Sequence, residues 1–420
     1  MPQEPQGAAR RNALSAQTAE ELDHVIRFAS ASRRPEGGFG ALDTHGRLAA
    51  DAPVHALQTT RMTYCFSIAS LLGIPDSQEL AAHGVHALQS LLHDSVHGGT
   101  FSDPTTPDAP KTAYLACFNA LAATAAVHAG VDGARQLLDD AAATLVDRFW
   151  DEADGALVDE WDRAFTQPTD YRGANANMHA VEAMNAIAVV MDDPTWHARA
   201  GRIAERFIDD IARRNGWMLP EHFDGSWRPL LDYNRDRPRD EFRPYGVTVG
   251  HLLEWSRLVL ELHTAAPADW MPAAARSLYA TARQLGWHVD GAPGFVYTVD
   301  WDRVPVVRTR PHWVALEAIA AAATQAQAFG DSDAAADVAT FREYAQTYLR
   351  DRAHGSWHHE LDPANRPLAQ MWAGKPDAYH ALGAILIPEL PLAPSLAGRV
   401  LALDRTDPTD RQEQTSWSLA

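Results

Sequence analysis

One periodicity constrains this chain more than any motif in it. Six apolar runs begin near Thr60, Thr112, Asn177, Thr248, Pro311 and Asp377. They read TRMTYCFSIASLLG, TAYLACFNALAATAAVHAG, NMHAVEAMNAIAVVM, TVGHLLEWSRLVLEL, PHWVALEAIAAAATQA and DAYHALGAILI. Each is apolar on most faces, which predicts helices buried on most sides. Their starts lie about 50–70 residues apart, room for two helices and a loop per unit. Charged, amphipathic runs alternate with them, among them AEELDHVIRFASA, SQELAAHGVHALQSLL and WHARAGRIAERFIDDIARR. These predict an outer layer with one wet face. A short Gly–aromatic segment follows each outer run: GGFGALD, GGTFSD, DGALVDEWD, GWMLPEHFDGSW, GFVYTVDWD and GSWHHELD. Such segments suit short strands or hairpins. Outer helix, β-like loop and inner helix, six times over, close into an all-α (α/α)6 barrel. No Pro/Gly/Ser-rich linker divides the chain. Residues 13–408 are therefore expected to form one domain, with 1–12 and 409–420 loosely ordered.

Composition excludes several partners. Among 420 residues, 55 acidic side chains oppose 36 basic ones, a formal charge of −19. Such a surface repels phosphate backbones and anionic membranes, so neither nucleic acid nor membrane is an expected partner. The two cysteines, Cys65 and Cys117, lie inside apolar runs and read as buried thiols. The opening MPQEPQGAARRNALSA has no apolar core of a secretory signal, and no stretch is apolar enough to span a bilayer. The expected location is cytoplasmic.

The inner runs share a second feature. Arg61, His179, His251, His312 and His380 fall in or near the first turn of their helices. In a ring of helices these starts converge on one end. The positive end of the helix dipole disfavours imidazolium there, and a neutral imidazole is what a general base requires. A lone first-turn histidine is more often a cap or a packing residue. Four histidines and an arginine at equivalent points of a repeat are not independent accidents.

His179-x-x-Glu182 and His251-x-x-Glu254 each place a carboxylate one turn after an imidazole, on the same helix face. Metal chemistry is poorly served. Carboxylate-bridged di-iron bundles use Glu-x-x-His in the reverse order, and the match Glu21-x-x-His24 lies on an outer run. His-Glu-x-x-His is absent. The His358, His359, Glu360 cluster reads as a solvated loop. No G-x-S-x-G elbow, P-loop or dinucleotide fingerprint appears. No metal and no cofactor are expected. A carboxylate pair for glycoside hydrolysis stays open, but imidazoles suit proton abstraction beside a carbonyl better than acetal cleavage.

The segments TTRMTYCFSIA, NANMHAVEAMNA, RPYGVTVGHLLEWSRL, VVRTRPHWVALEAIAAA and WAGKPDAYHAL carry a family resemblance over nearly the whole chain. It resembles the N-acylglucosamine 2-epimerase superfamily, closest to its aldose–ketose isomerase branch, the D-mannose and sulfoquinovose isomerases. The resemblance implies an (α/α)6 barrel, no required cofactor, and a monosaccharide handled by a monomer or small homo-oligomer. By position it makes His251 and His380 the catalytic pair and Glu254 the acidic partner of the first. Arg61, Asn175 and His179 match residues that hold sugar hydroxyls. Tyr114, His312, Trp313, Glu317 and Trp372 fall where the family lines its pocket. The expected reaction interconverts D-mannose and D-fructose through an enediolate. Alternatives are sulfoquinovose isomerisation, with Arg243 or Arg308 and Arg310 for the sulfonate, and 2-epimerisation of an N-acylglucosamine or cellobiose. From another class come a glycoside hydrolase and a carbohydrate-binding protein on the same scaffold.

Overall fold

The computed structural model describes residues 4–404. In chain order the helices are α1 (Glu4–Asn12), α2 (Ala16–Ser30), α3 (Ala56–Leu71), α4 (Ser77–Gln89), α5 (Ala113–His128), α6 (Ala134–Thr144) and α7 (Ala174–Met191). They continue with α8 (Thr195–Ala204), α9 (Val249–His263), α10 (Met271–Gly286), α11 (His312–Phe329), α12 (Ser332–Tyr344), α13 (Tyr379–Leu386) and α14 (Leu396–Ala402). The odd-numbered members from α3 to α13 are the six apolar runs. Each packs on the next, and α13 returns to α3, so the ring closes. The even-numbered members from α2 to α12 form the outer layer: α4 lies on α3, α6 on α5, and so on round to α2 on α13. The expected (α/α)6 barrel is what the chain builds. Cys65 and Cys117 are free and buried, as their apolar runs imply. None of the described helices is long and apolar enough to cross a membrane.

A repeated backbone bond ties five of the six hairpin segments to an inner helix. The first amide of the inner helix has no partner within its own helix. It donates instead to a carbonyl one unit further on: Ala56 to Ser102 at 2.9 Å, Ala113 to Asp159 at 2.8 Å, Ala174 to Glu221 at 2.9 Å, Val249 to Tyr297 at 3.2 Å, and His312 to His359 at 3.0 Å. Short antiparallel ladders reinforce the joints, such as Tyr171–Gly173 with His222–Asp224 and Arg310–Pro311 with Glu360–Leu361. The consequence is positional. Glu221, Tyr297 and His359 are delivered to the start of a neighbouring inner helix, at the same end of the ring as the imidazoles.

The helix α14 touches both α3 and α7 across the ring. Its Arg399, fully buried, donates to Glu261 at 3.1 Å and to the Thr324 hydroxyl at 3.3 Å. Both lie towards the C-terminal ends of α9 and α11, so α14 seals the end opposite the imidazoles.

Residues 4–12, expected to be loosely held, instead form α1. Arg10 donates to the Leu71 carbonyl at 3.0 Å and pairs with Asp404 at 2.6 Å. Gly7 crosses Gly73 so closely that a Cβ would lie 2.7 Å from the Gly73 nitrogen. The anchor is a charge-assisted bond and a glycine crossing, not an apolar face, and periodicity does not register it. Residues 409–420 lie outside the described residues.

Candidate active site

The inner helices start around a cavity of about 350 Å³. Its walls carry Arg61, Tyr114, Asn175, His179, His251, Glu254, His312, Trp313, Trp372 and His380. Of the expected site residues only Glu317 is not on the wall; it lies directly behind His380. Two of the helices begin a turn earlier than their apolar runs suggest. Arg61 and His179 therefore sit in the second turns of α3 and α7, whereas His251, His312 and His380 occupy first turns.

Two imidazoles are held alike. His380 Nδ1 lies 2.9 Å from Glu317 Oε1, and His251 Nδ1 lies 2.9 Å from Glu221 Oε1. An ionised carboxylate only accepts, so in the neutral ring Nδ1 carries the hydrogen and Nε2 keeps its lone pair. Trp313 lies beside both rings, its centroid 5.3 Å from His251 and 5.6 Å from His380. One expectation is corrected here. The partner of His251 is Glu221, from a hairpin segment, not Glu254 from its own helix. An i,i+3 spacing puts two side chains on one face without making them touch. Glu254 turns instead towards His179, 3.9 Å away, and Arg257, 3.6 Å away.

The other wall is built on Arg61. Its guanidinium donates to the Tyr114 hydroxyl at 2.8 Å, lies 3.9 Å from Asp377, and rests 4.6 Å over the Phe118 ring. The Asn175 amide oxygen is buried without a partner beside it. His179 contacts Glu182 at 3.3 Å, yet burial outweighs that contact and holds its imidazole down at about 4. His312 bonds Asp377 at 2.9 Å and stacks on His359 with centroids 3.8 Å apart. Burial lowers both of these imidazoles. Burial, rather than the helix dipole, is the leading cause at all three. His359 and Glu360 are buried, so that cluster is not the solvated loop its sequence implied. Asp377, Tyr297 and Glu221 also escaped sequence reasoning.

Three groups invite a metal reading: His179, Glu182 and Glu254 bring ligand-type atoms within 4.8 Å of one another. Two of the three groups are already engaged. His179 Nδ1 faces Glu182, and both Glu182 oxygens accept from the Tyr379 hydroxyl, at 2.6 and 2.5 Å. A further cation would also sit beside the Arg257 guanidinium. Turnover is therefore expected to survive exhaustive dialysis against EDTA unchanged. Loss of rate, restored by one divalent metal, would assign these groups to an ion.

A second cavity, about 370 Å³, opens between α4, α5 and α6 and is lined by Gln89, Lys111, Asn119, Gln136 and Phe165. Its Lys111 ammonium is committed to Asp94 at 2.9 Å and to the Gly98 carbonyl. It gathers none of the inner-helix imidazoles.

A closed helix ring with carboxylate-backed imidazoles at one end defines a class, and the comparisons agree with it. Residues 37–384 match the family described as N-acylglucosamine 2-epimerase (GlcNAc 2-epimerase), and the chain belongs to that family. It is an isomerase. A D-mannose isomerase of Pseudomonas cannabina pv. alisalensis is 46% identical over 395 residues, 92% of this chain and 95% of that one. A D-mannose isomerase of Thermobifida fusca is 46% identical over 385 residues, 90% of this chain and 95% of that one. Among solved structures, a D-mannose isomerase superposes with a TM-score of 0.81 at 26% identity, covering 89% of this chain and 97% of that one. The cellobiose 2-epimerase of Spirochaeta thermophila DSM 6192 gives 0.78 at 21% identity, covering 96% and 100%, and so shares the fold.

Proposed function

We propose that this protein interconverts D-mannose and D-fructose by moving a proton between C2 and C1, without a metal. The observation that carries the reading is the matched pair of imidazoles. His251 and His380 each have Nδ1 tied to a carboxylate and face one cavity with Arg61. The two 46%-identical relatives named D-mannose isomerase direct the choice of sugar.

The chemistry follows from these groups. His251 moves the anomeric proton from O1 to the ring oxygen as the C1–O5 bond breaks. The C2 proton beside the new aldehyde is then acidic enough for neutral His380. Its removal sends the C–H electron pair into a C1–C2 double bond and negative charge onto O1. Arg61, always charged and planar, faces that charge. Protonation at C1, with the O2 proton passed to O1, gives the ketose.

A neutral sugar fits this cavity better than a sulfonated one. Arg243 is spent on Glu160 at 3.2 Å, and Arg310 on Asp290 at 2.6 Å. Neither these nor Arg308 lies on the cavity wall.

The test is isomerisation of mannose in D₂O with NMR detection. Deuterium is expected at C1 of fructose and at C2 of mannose formed in reverse. Demonstrated turnover to equilibrium with no label at either carbon would overturn the proton-transfer reading, since a hydride shift excludes solvent. No product from mannose, with an epimer formed from cellobiose or an N-acylglucosamine, would move the activity to the epimerases.

A further inference from the structure

Behind His380 the charges do not balance. Arg257, buried on α9, touches three carboxyl groups: Glu317 at 3.2 Å, Glu261 at 3.2 Å and Glu254 at 3.6 Å. Arg399 takes Glu261 from the other side at 3.1 Å. Two guanidiniums thus serve three carboxyls. Glu317 is bonded by Arg257 Nε and Nη2 and by His380 Nδ1, and Glu261 is bonded by both arginines. Glu254 is the one left over. It is 1% exposed, and its Oε1 has no hydrogen-bond partner among the described residues, although the side chain reaches the cavity wall.

We propose that Arg257 is a positioning residue that divides charge unequally between two carboxyls: it keeps Glu317 ionised behind His380 and leaves Glu254 as a neutral acid presenting its proton to the sugar. Two carboxylates crowded into one buried site do not both ionise, because like charges repel and neither is solvated. The pair titrates as a unit, and the guanidinium fork decides which member holds the charge. Other groups face Glu254 as well. From α7 come Glu182, which adds repulsion, and His179; from α3 comes Arg61, which opposes it; Tyr114 and Tyr379 complete the surround. Burial first, then Glu317, raises the Glu254 carboxyl well above its ordinary range. Burial works the same way on Glu317, but Arg257 and His380 override it and hold that group low. A protonated carboxyl can donate a hydrogen bond to an oxygen that gains charge in the enediolate, where a carboxylate would repel it.

The proposal deepens the isomerase reading, but its test reads protonation directly and does not depend on which sugar turns over. Infrared difference spectra of the intact protein in D₂O at neutral pD are compared with those of two isosteric variants. The carbonyl stretch of a protonated carboxyl is expected in the wild type and lost in Glu254→Gln. It is expected to vanish in Glu317→Gln too, because removing that charge lets Arg257 ionise Glu254. A band that survives Glu254→Gln unchanged would show Glu254 to be ionised and overturn the proposal. A band lost in Glu254→Gln but kept in Glu317→Gln would overturn the role given to Arg257. Arg257→Lys supplies the positioning readout: a point charge that cannot span Glu317 and Glu261 should shift the acid limb of the kcat profile and lower kcat more than it changes KM. An unshifted profile would count against the role.

Discussion

Alanine in place of His380 is expected to lower kcat for mannose–fructose interconversion by about 10²–10⁴, the range for a lost general acid or base. The same substitution at His251 should cost a similar factor. The two variants should nevertheless differ in stability. Removing the His380 ring leaves Glu317 with Arg257, 3.2 Å away, so its buried charge stays compensated. Removing the His251 ring leaves Glu221 with no other hydrogen-bonded side-chain partner among the described residues, while only 4% exposed. Stranding one member of a buried pair costs roughly 3–5 kcal/mol. Thermal melts should therefore place His251→Ala clearly below His380→Ala. Isotope exchange separates the roles: His380→Ala should slow deuterium exchange at C2 at least as far as it slows turnover. Near-wild-type turnover in either variant would remove that residue from the mechanism, and exchange at C2 persisting at the wild-type rate in His380→Ala would pass the C2 proton to another base.

What the sequence made legible follows from where repetition acts on chemistry. The inner helices are apolar on nearly every face because they are walled by neighbours on nearly every side, so their positions stand out without any motif. Their imidazoles were legible for a related reason: His251, His312 and His380 recur at one point of a repeated unit. The hairpin segments recur as faithfully, and three of them carry site residues, Glu221, Tyr297 and His359, that sequence reasoning did not place there. Ser102, Asp159, Glu221, Tyr297 and His359 occupy one position, the carbonyl that receives the first amide of an inner helix. Their side chains share no chemistry, and an isolated Glu or Tyr in a Gly–aromatic loop looks like surface. Aligning the five segments that share that backbone bond would have placed Glu221 beside a helix start. The misassignment of Glu254 has a different origin. Spacing along a helix fixes a face, while partners are chosen between helices, and Arg257 and Glu317 are 60 residues apart. Arg257 itself is hidden in the run LLEWSRLVLEL, where one cation among apolar residues reads as a snorkelling surface side chain.

Stability is expected to fall steeply as pH drops from about 6.5 towards 4, and the buried imidazoles set the sign. A base whose folded-state pKa is depressed contributes stability that is fully present above its unfolded value and lost as pH falls towards the folded one. For His179 that window runs from 6.5 to about 4. One pKa unit is worth about 1.4 kcal/mol, so this residue alone accounts for roughly 3 kcal/mol. Some carboxyls work against it. Burial raises Asp159 to about 6, so the folded state gains a proton there while the unfolded chain does not, and it offsets much of the His179 contribution. Glu254 acts in the same direction. The balance falls to the remaining buried imidazoles. Burial lowers His312, His222 and His128, and His359 most plainly, because it stacks on His312 and its Nε2 is buried without a partner. Below this window Asp377, held low by His380, His312 and Arg61, and Glu317, held low chiefly by Arg257, add further losses of the same sign. Melting temperatures measured between pH 7 and 4 should decline throughout, and His359→Asn, which cannot take up a proton, should flatten the decline. A melting temperature that stays level or rises on acidification over this range would mean that the buried carboxyls, not the imidazoles, dominate the charge balance at the centre of the ring.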